Sequence, residues 1–332
     1  MITALLLLFA AAGIDDSFRT GLTALQSGDL ESAKRNLEAA SKIEPRDGRV
    51  WIALSQTYWR LHKNAEAEEA AGKAAAMGPE DPAVLQGLAI YYSETNQTLK
   101  AARAQAKYSE KVPENSEARE RGVELYFAAA RPLLDQQKFA DALVILKEAV
   151  SRIANSGQLE LALGVAYYGL RRFDEAADAF LRTIEIMPEA EQPYMFLGRV
   201  LDQIPSRWAR VTPQFAAYEA AHPASAEGYL LHAKALNAQS IDPETALRLL
   251  EKSIAINGSD ASAFFEMGAV LDRLQRFEDA ASAFEKAVER APQDPAAHYR
   301  LARDYERIGK HDAARAERDK HAQLVKAQEV IR

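Results

Sequence analysis

Arg172–Pro188 reads RFDEAADAFLRTIEIMP, and 104 residues further on Arg276–Pro292 reads RFEDAASAFEKAVERAP. In the first copy Phe173, Ala176, Ala177, Phe180 and Ile184 recur at spacings of three and four, the period of an amphipathic helix. A proline closes each copy, because its ring removes a backbone donor and clashes with the preceding turn. The separation is three times 34 plus two, which points to a short repeat rather than to a duplicated domain.

A 34-residue ruler orders most of the chain. Pro45, Pro79 and Pro113 are spaced by 34 and 34; Pro188, Pro223, Gly258 and Pro292 follow at 35, 35 and 34. Gly258 acts as the helix stop in place of proline. Between Pro113 and Pro188 the gap is 75, two units plus seven. Units then start near residues 14, 48, 82, 123, 157, 191, 226, 261 and 295.

Composition agrees with stacked helices. Apolar residues make up 48% of the chain but aromatics only 8%, so apolar area comes largely from alanine and suits close helix packing. A formal charge of −7 without clustered Lys and Arg argues against a nucleic-acid partner. The densest basic stretch, Lys100–Lys107, reads as a solvated helix face. With no cysteine, thiol catalysis, disulfides and cysteine metal sites are excluded.

The spacing and residues resemble the tetratricopeptide repeat, whose pattern is W-x2-L-G-x2-Y, then A-x3-F, then P. Trp51, Leu54, Tyr58, Ala67 and Pro79 fit one unit; Leu163, Gly164, Tyr167, Ala176, Phe180 and Pro188 another; Met267, Gly268, Ala280, Phe284 and Pro292 a third. The resemblance implies an all-α, right-handed α-solenoid of about nine helix-turn-helix repeats, three over 13–115 and six over 123–332. The charged C-terminal helix would cap it. Small residues such as Gly164, Gly198 and Gly268 would let paired helices approach, while Phe180 and Phe284 fill the gap toward the next unit.

The resemblance also implies a groove lined by the first helix of each repeat. At the fifth position of the unit stand Phe18, Ile52, Gln86, Phe127, Leu161, Met195, Leu230, Phe265 and Tyr299, an apolar ladder. The ninth position supplies Gln56, Arg131, Arg199, Lys234 and Arg303; the twelfth supplies Trp59, Tyr168, Asp202, Asn237, Asp272 and Glu306. Apolar contact with polar orientation suits an extended peptide or a helix of a partner protein. No unit has the Lys and Asn pair with which chaperone-binding members hold a C-terminal carboxylate.

Two stretches depart from the pattern. Residues 116–122, SEARERG, are extra and precede a helix containing Pro132, so either a seam divides the repeats there or one long helix bends. In DQIPSRWARVTPQF, Asp202–Phe215, either Thr212 caps a helix with Pro213 at its first position, or the helix begins near Ser206. Trp208 then either packs into the neighbouring repeat or reaches a partner from a loop.

The opening MITALLLLFAAAG carries an apolar run, Ile2–Phe9, and an Ala10–Ala12 cleavage pattern. Residues 1–12 are therefore expected to be a signal peptide, cut before Gly13, sending the chain to the periplasm or outside. The alternatives are an uncleaved membrane-associated segment or a cytoplasmic protein. No membrane span is expected after cleavage.

Catalytic patterns are missing from the sequence. The six histidines lack metal-binding spacings, and no two glycines lie closer than five residues, which excludes G-x-G-x-x-G. The pairs Asp174–Glu175 and Glu278–Asp279 fall where a helix dipole favours negative charge. The expectation is a non-enzymatic scaffold without cofactor or metal, binding a protein or peptide in envelope assembly or maturation. The alternative is a recognition subunit of a separate enzyme. Oligomeric state is left open.

Overall fold

The computed structural model describes residues 15–331, with side chains to 328. The expected signal segment, 1–12, lies outside the described residues. Among those residues there are eighteen α-helices, two 3-10 helices and no strand.

The chain divides into two compact units, residues 1–171 and 172–332. The first holds α1 (Asp16–Ser27), α2 (Leu30–Ile43), α3 (Gly48–Arg60), α4 (Asn64–Met77), α5 (Pro82–Glu94), α6 (Thr98–Lys111), α7 (Ser116–Asp135), α8 (Phe139–Arg152) and α9 (Gly157–Gly169). The second holds α10 (Phe173–Ile186), α11 (Glu191–Val200), α12 (Trp208–Ala221), α13 (Ala226–Gln239) and α14 (Pro243–Ile256). It ends with α15 (Ala261–Arg273), α16 (Phe277–Arg290), α17 (Pro295–Arg307) and α18 (His311–Ile331). Within each unit, successive helices pack as antiparallel pairs.

Local chemistry recurs with the sequence period. After six of the second helices the stop residue is followed two positions on by a capping side chain: Asp47, Asp81, Asn115, Ser225, Asp260 and Asp294 each accept a backbone N–H of the next first helix, whereas Ala190 after Pro188 cannot. The second helices α4, α6, α8, α10 and α16 have no such side-chain cap. Their tight entry turn does the work instead. It runs through one left-handed residue, His62, Asn96, Gln137, Arg171 or Gln275; Gly28, Ser240 and Gly309 hold the same place before α2, α14 and α18, with Asp242 left-handed as well before α14. The next N–H reaches back five residues, as Lys63 does to Tyr58 at 2.9 Å and Arg276 to Leu271 at 3.0 Å.

One turn breaks the rule. Pro205 stands where the sixth repeat needs a left-handed residue, and its ring fixes φ near −65°. The chain forms two 3-10 turns instead, Leu201–Gln203 and Pro205–Arg207. Helix α12 then starts at Trp208 with Pro213 inside it, so of the two alternatives the start near Ser206 holds and Pro213 at the first position does not. Trp208 is half-buried and donates its indole N–H to the Leu201 carbonyl at 2.8 Å, so it packs and pins this turn.

The core is built from small residues in register. Ala33, Ala67, Ala101, Ala142, Ala176, Ala246, Ala280 and Ala314 occupy the same position of eight repeats, each 0% exposed, and Val211 fills it in the sixth. A methyl group there lets two helix backbones close together. Phe180 and Phe284, also 0% exposed, fill the space between repeats in the second unit. Of the two readings of 116–122 the structure has the long helix: these residues extend α7 to 20 residues, with Pro132, which lacks the N–H for one i to i−4 bond, in its last turn.

Candidate partner-binding site

Most of the expected ladder is sorted by burial into core and surface. Phe18, Ile52 and Leu230 are 2%, 0% and 3% exposed and cannot touch a partner, which corrects their place in the groove. The reason is visible at Ile52, which fills the space over Gly87 of the next repeat: a Cβ on that glycine would stand 2.7 Å from Ile52 Cγ1. Phe265 is half-buried against Phe284, ring centroids 5.6 Å apart. Trp59 packs against the core of the first unit. Gln56, Leu161 and Tyr168 are half-buried.

In the second unit the surface rungs are Met195 on α11 and Tyr299 on α17, 37% and 47% exposed. Arg199, also exposed, lies over the ring of Phe196 at 5.7 Å. Lys234 on α13 turns back to donate to the Gly198 carbonyl at 3.3 Å. Its charge and that of Arg199 offset the burial that raises the carboxyl pKa of Glu227; Lys234 and the Asn237 amide do the same for Glu266. Asn237 donates to Glu266 Oε2 at 3.0 Å, yet its own Oδ1 is buried without a partner.

Arg303 is not a free steering charge. It bonds Asp272 on α15 at 3.0 Å, and Arg300 and Arg307 converge on the same carboxylate. Arg303 makes no ion pair with Glu306 three residues on; Glu306 is taken by His311 and Arg318.

In the first unit the first helices α3 and α5 pack together, as do α7 and α9, but α5 and α7 scarcely touch. A cleft of about 550 Å³ opens between them. Its apolar strip is Ala89, Ile90, Tyr108 and Leu125. Gln86 of α5 lines it with a buried Oε1 that no donor reaches, an acceptor waiting for an N–H. The opposite wall is made by the added turns of α7, where Glu117 and Glu120 are exposed carboxylates without an ion-pair partner among the described residues. Glu124 is matched by Arg121 at 3.0 Å. The α7 extension is held by Gln105, which donates to the Ala118 carbonyl at 2.8 Å, and by Arg119, which bonds the carbonyls of Ala154 and Asn155.

Phe127 and Arg131 line a separate shallow cleft farther along α7, with Arg131 3.8 Å from Asp135. Sequence reading placed Gln86 on the ladder but missed Glu117, Glu120 and Ile90. The signal for the two glutamates was the seven-residue excess itself.

Two sequence profiles described as Tetratricopeptide repeat match the chain, one at residues 24–90 and 133–200, the other at 265–324, together more than half of it. The chain belongs to the tetratricopeptide-repeat family. Repeats of this family are protein-interaction scaffolds. The chain is also similar to the "Peroxisomal targeting signal receptor" of Komagataella phaffii and of Komagataella pastoris, 26% identical over 191 residues in each case. That match is 56% of this chain and 33% of the relative, so the chain spans about a third of the length of these relatives.

Among solved structures, a thermophilic tetratricopeptide-repeat protein of Thermus thermophilus is 24% identical with a TM-score of 0.44, covering 51% of this chain and 91% of that one. MamA from Desulfovibrio magneticus is 21% identical with a TM-score of 0.40, covering 62% and 96%. Among the described residues no group of three His, Asp or Glu side chains is placed to hold a metal ion, and no helix is long and apolar enough to cross a membrane.

Proposed function

We propose that this protein is a non-enzymatic adaptor that holds a basic, extended or helical segment of a partner protein in the cleft between α5 and α7. The observation that carries the reading is the buried, unpaired Gln86 Oε1 beside an apolar strip and facing unpaired Glu117 and Glu120. An unpaired buried acceptor costs free energy that a partner N–H would recover. The apolar strip supplies contact area, and the carboxylates select a cationic partner by charge. Met195, Arg199 and Tyr299 extend the same use of first-helix surfaces to the second unit.

We place this activity outside the cytoplasm, in assembly or maturation at the envelope, on the strength of the Ile2–Phe9 run and Ala10–Ala12 pattern. Sequencing the N-terminus of purified native protein is expected to give Gly13; intact Met1 on soluble cytosolic protein would reject export. Binding is tested with a photo-crosslinking residue at Ile90 or, as control, at Glu285 on a second helix. Adducts to one defined protein from Ile90, weakened about tenfold or more by Glu117→Gln with Glu120→Gln, support the reading. Adducts from position 285 alone reject it.

A further inference from the structure

The opposite side of α6 carries a second cleft, about 480 Å³, bounded by the second helices α4, α6 and α8 and floored by α5. Leu85, Leu88 and Ala104 form an apolar floor, each less than a tenth exposed. Above it stand four cations, Lys100, Arg103, Lys107 and Arg152, against one lining carboxylate, Glu148. The basic stretch Lys100–Lys107 is thus not merely a solvated face.

The cations are not equivalent. Lys100 is bonded to Glu68 at 2.7 Å, and Arg103 grips Glu148 with two nitrogens, at 2.9 and 2.8 Å. Arg152 reaches Glu110 at 3.5 Å and Glu148 at 3.4 Å. Lys107 is half-buried and has no carboxylate within ion-pair distance among the described residues. Glu80, whose carboxyl Lys107 also holds down through space, makes its ion pair with Lys111. In a chain of net charge −7, an ammonium without an ion pair stands over an apolar floor, backed by pre-paired arginines.

We propose that this cleft is a second docking site, distinct from the first-helix cleft, that takes an acidic peptide segment anchored by one apolar side chain. The apolar side chain covers Leu85 and Leu88, and a neighbouring carboxylate pairs with Lys107 and the outer face of Arg103. A flat anionic membrane fits worse, because Glu68, Glu80 and Glu110 stand around the cleft and would face the lipid charges. The ligand's charge is opposite to that expected between α5 and α7, so the two sites are tested independently.

The test is fluorescence anisotropy on the full chain. The probe is a labelled hexapeptide with a leucine-phenylalanine centre and two glutamates on each side. A sibling carries glutamine in place of glutamate, and vesicles with anionic headgroups form a third arm. Saturable binding of the acidic peptide is expected, reduced about tenfold or more by Lys107→Glu, severalfold by Lys107→Gln, and lost with the glutamine sibling. Lys147→Gln, an exposed charge on α8 outside the cleft, should leave it within about twofold. Should Lys107→Glu lose helicity, Lys107→Gln and the sibling peptide carry the test. No saturable binding, binding indifferent to both Lys107 variants, or capture of vesicles in place of peptide would each overturn the proposal.

Discussion

Gly268 of α15 lies directly under the ring of Phe284 on α16: a Cβ built on the glycine would stand 2.8 Å from three ring carbons. The aromatic that fills the inter-repeat space therefore exists only because its partner helix has no side chain there. Gly268→Ala is expected to cost about 1–3 kcal/mol through overpacking, and Phe284→Ala about 3–5 kcal/mol through the cavity. Because the methyl group would occupy part of the vacated ring site, the double variant should lose less than the sum of the two. Denaturant midpoints read the cycle, and additive losses would mean the two residues are not coupled.

The left-handed turns give a second expectation. Gln275 has φ 59° and an exposed side chain, whereas Gly28 and Gly309 meet the same demand with glycine. Gln275→Gly should stabilise the second unit by about 0.5–1 kcal/mol, since relief of the Cβ clash exceeds the added freedom of the unfolded chain. A loss of stability would show that the turn is not strained.

Asp304 gives a pH dependence. It is 1% exposed, and burial, then the Asp272 carboxylate, lift its pKa to about 6 against the pull of Arg307 and Arg303. Between about pH 4 and 6 the folded chain keeps a proton that the unfolded chain has released, so this group's contribution to stability falls as pH rises and the penalty is complete above about pH 6. Asp304→Asn should remove that fall. Unfolding midpoints of the two proteins should converge near pH 4 and separate toward pH 7 in favour of the variant; a constant difference would refute the assignment.

His298 ties the C-terminal helix to the last repeat. It is 4% exposed, with Nδ1 2.5 Å from Glu317 Oε2 on α18 and Nε2 3.1 Å from the Pro292 carbonyl. The ring thus bridges the C-terminal helix and the turn before α17. His298→Ala should cost about 2–3 kcal/mol and speed amide exchange along α18 before the other helices. Unchanged exchange there would mean that the remaining contacts of α18, among them Ala314, Leu324, Arg318 with Glu306 and His321 with the Pro295 carbonyl, hold the helix without it.

The sequence by itself determined the repeat length, the helix pairs and their stops, because these follow from contacts a few residues apart: proline and glycine after each second helix, a capping side chain two positions on, apolar spacing of three and four. It also exposed the seven-residue excess. The tertiary structure decided what those features do. Phe18, Ile52 and Leu230 share a position with Met195 and Tyr299, yet burial depends on the next repeat's side chains, such as the bare Gly87 that admits Ile52. Likewise, only packing shows that residues 116–122 extend a helix and wall a cleft, that Arg303 is spent on Asp272, and that Lys107 is left unpaired. The ion pairs that cross between repeats, such as Arg303–Asp272, Lys111–Glu80 and Arg103–Glu148, join residues about 30 or more positions apart, and a periodic pattern carries no information about which of several neighbouring charges will meet.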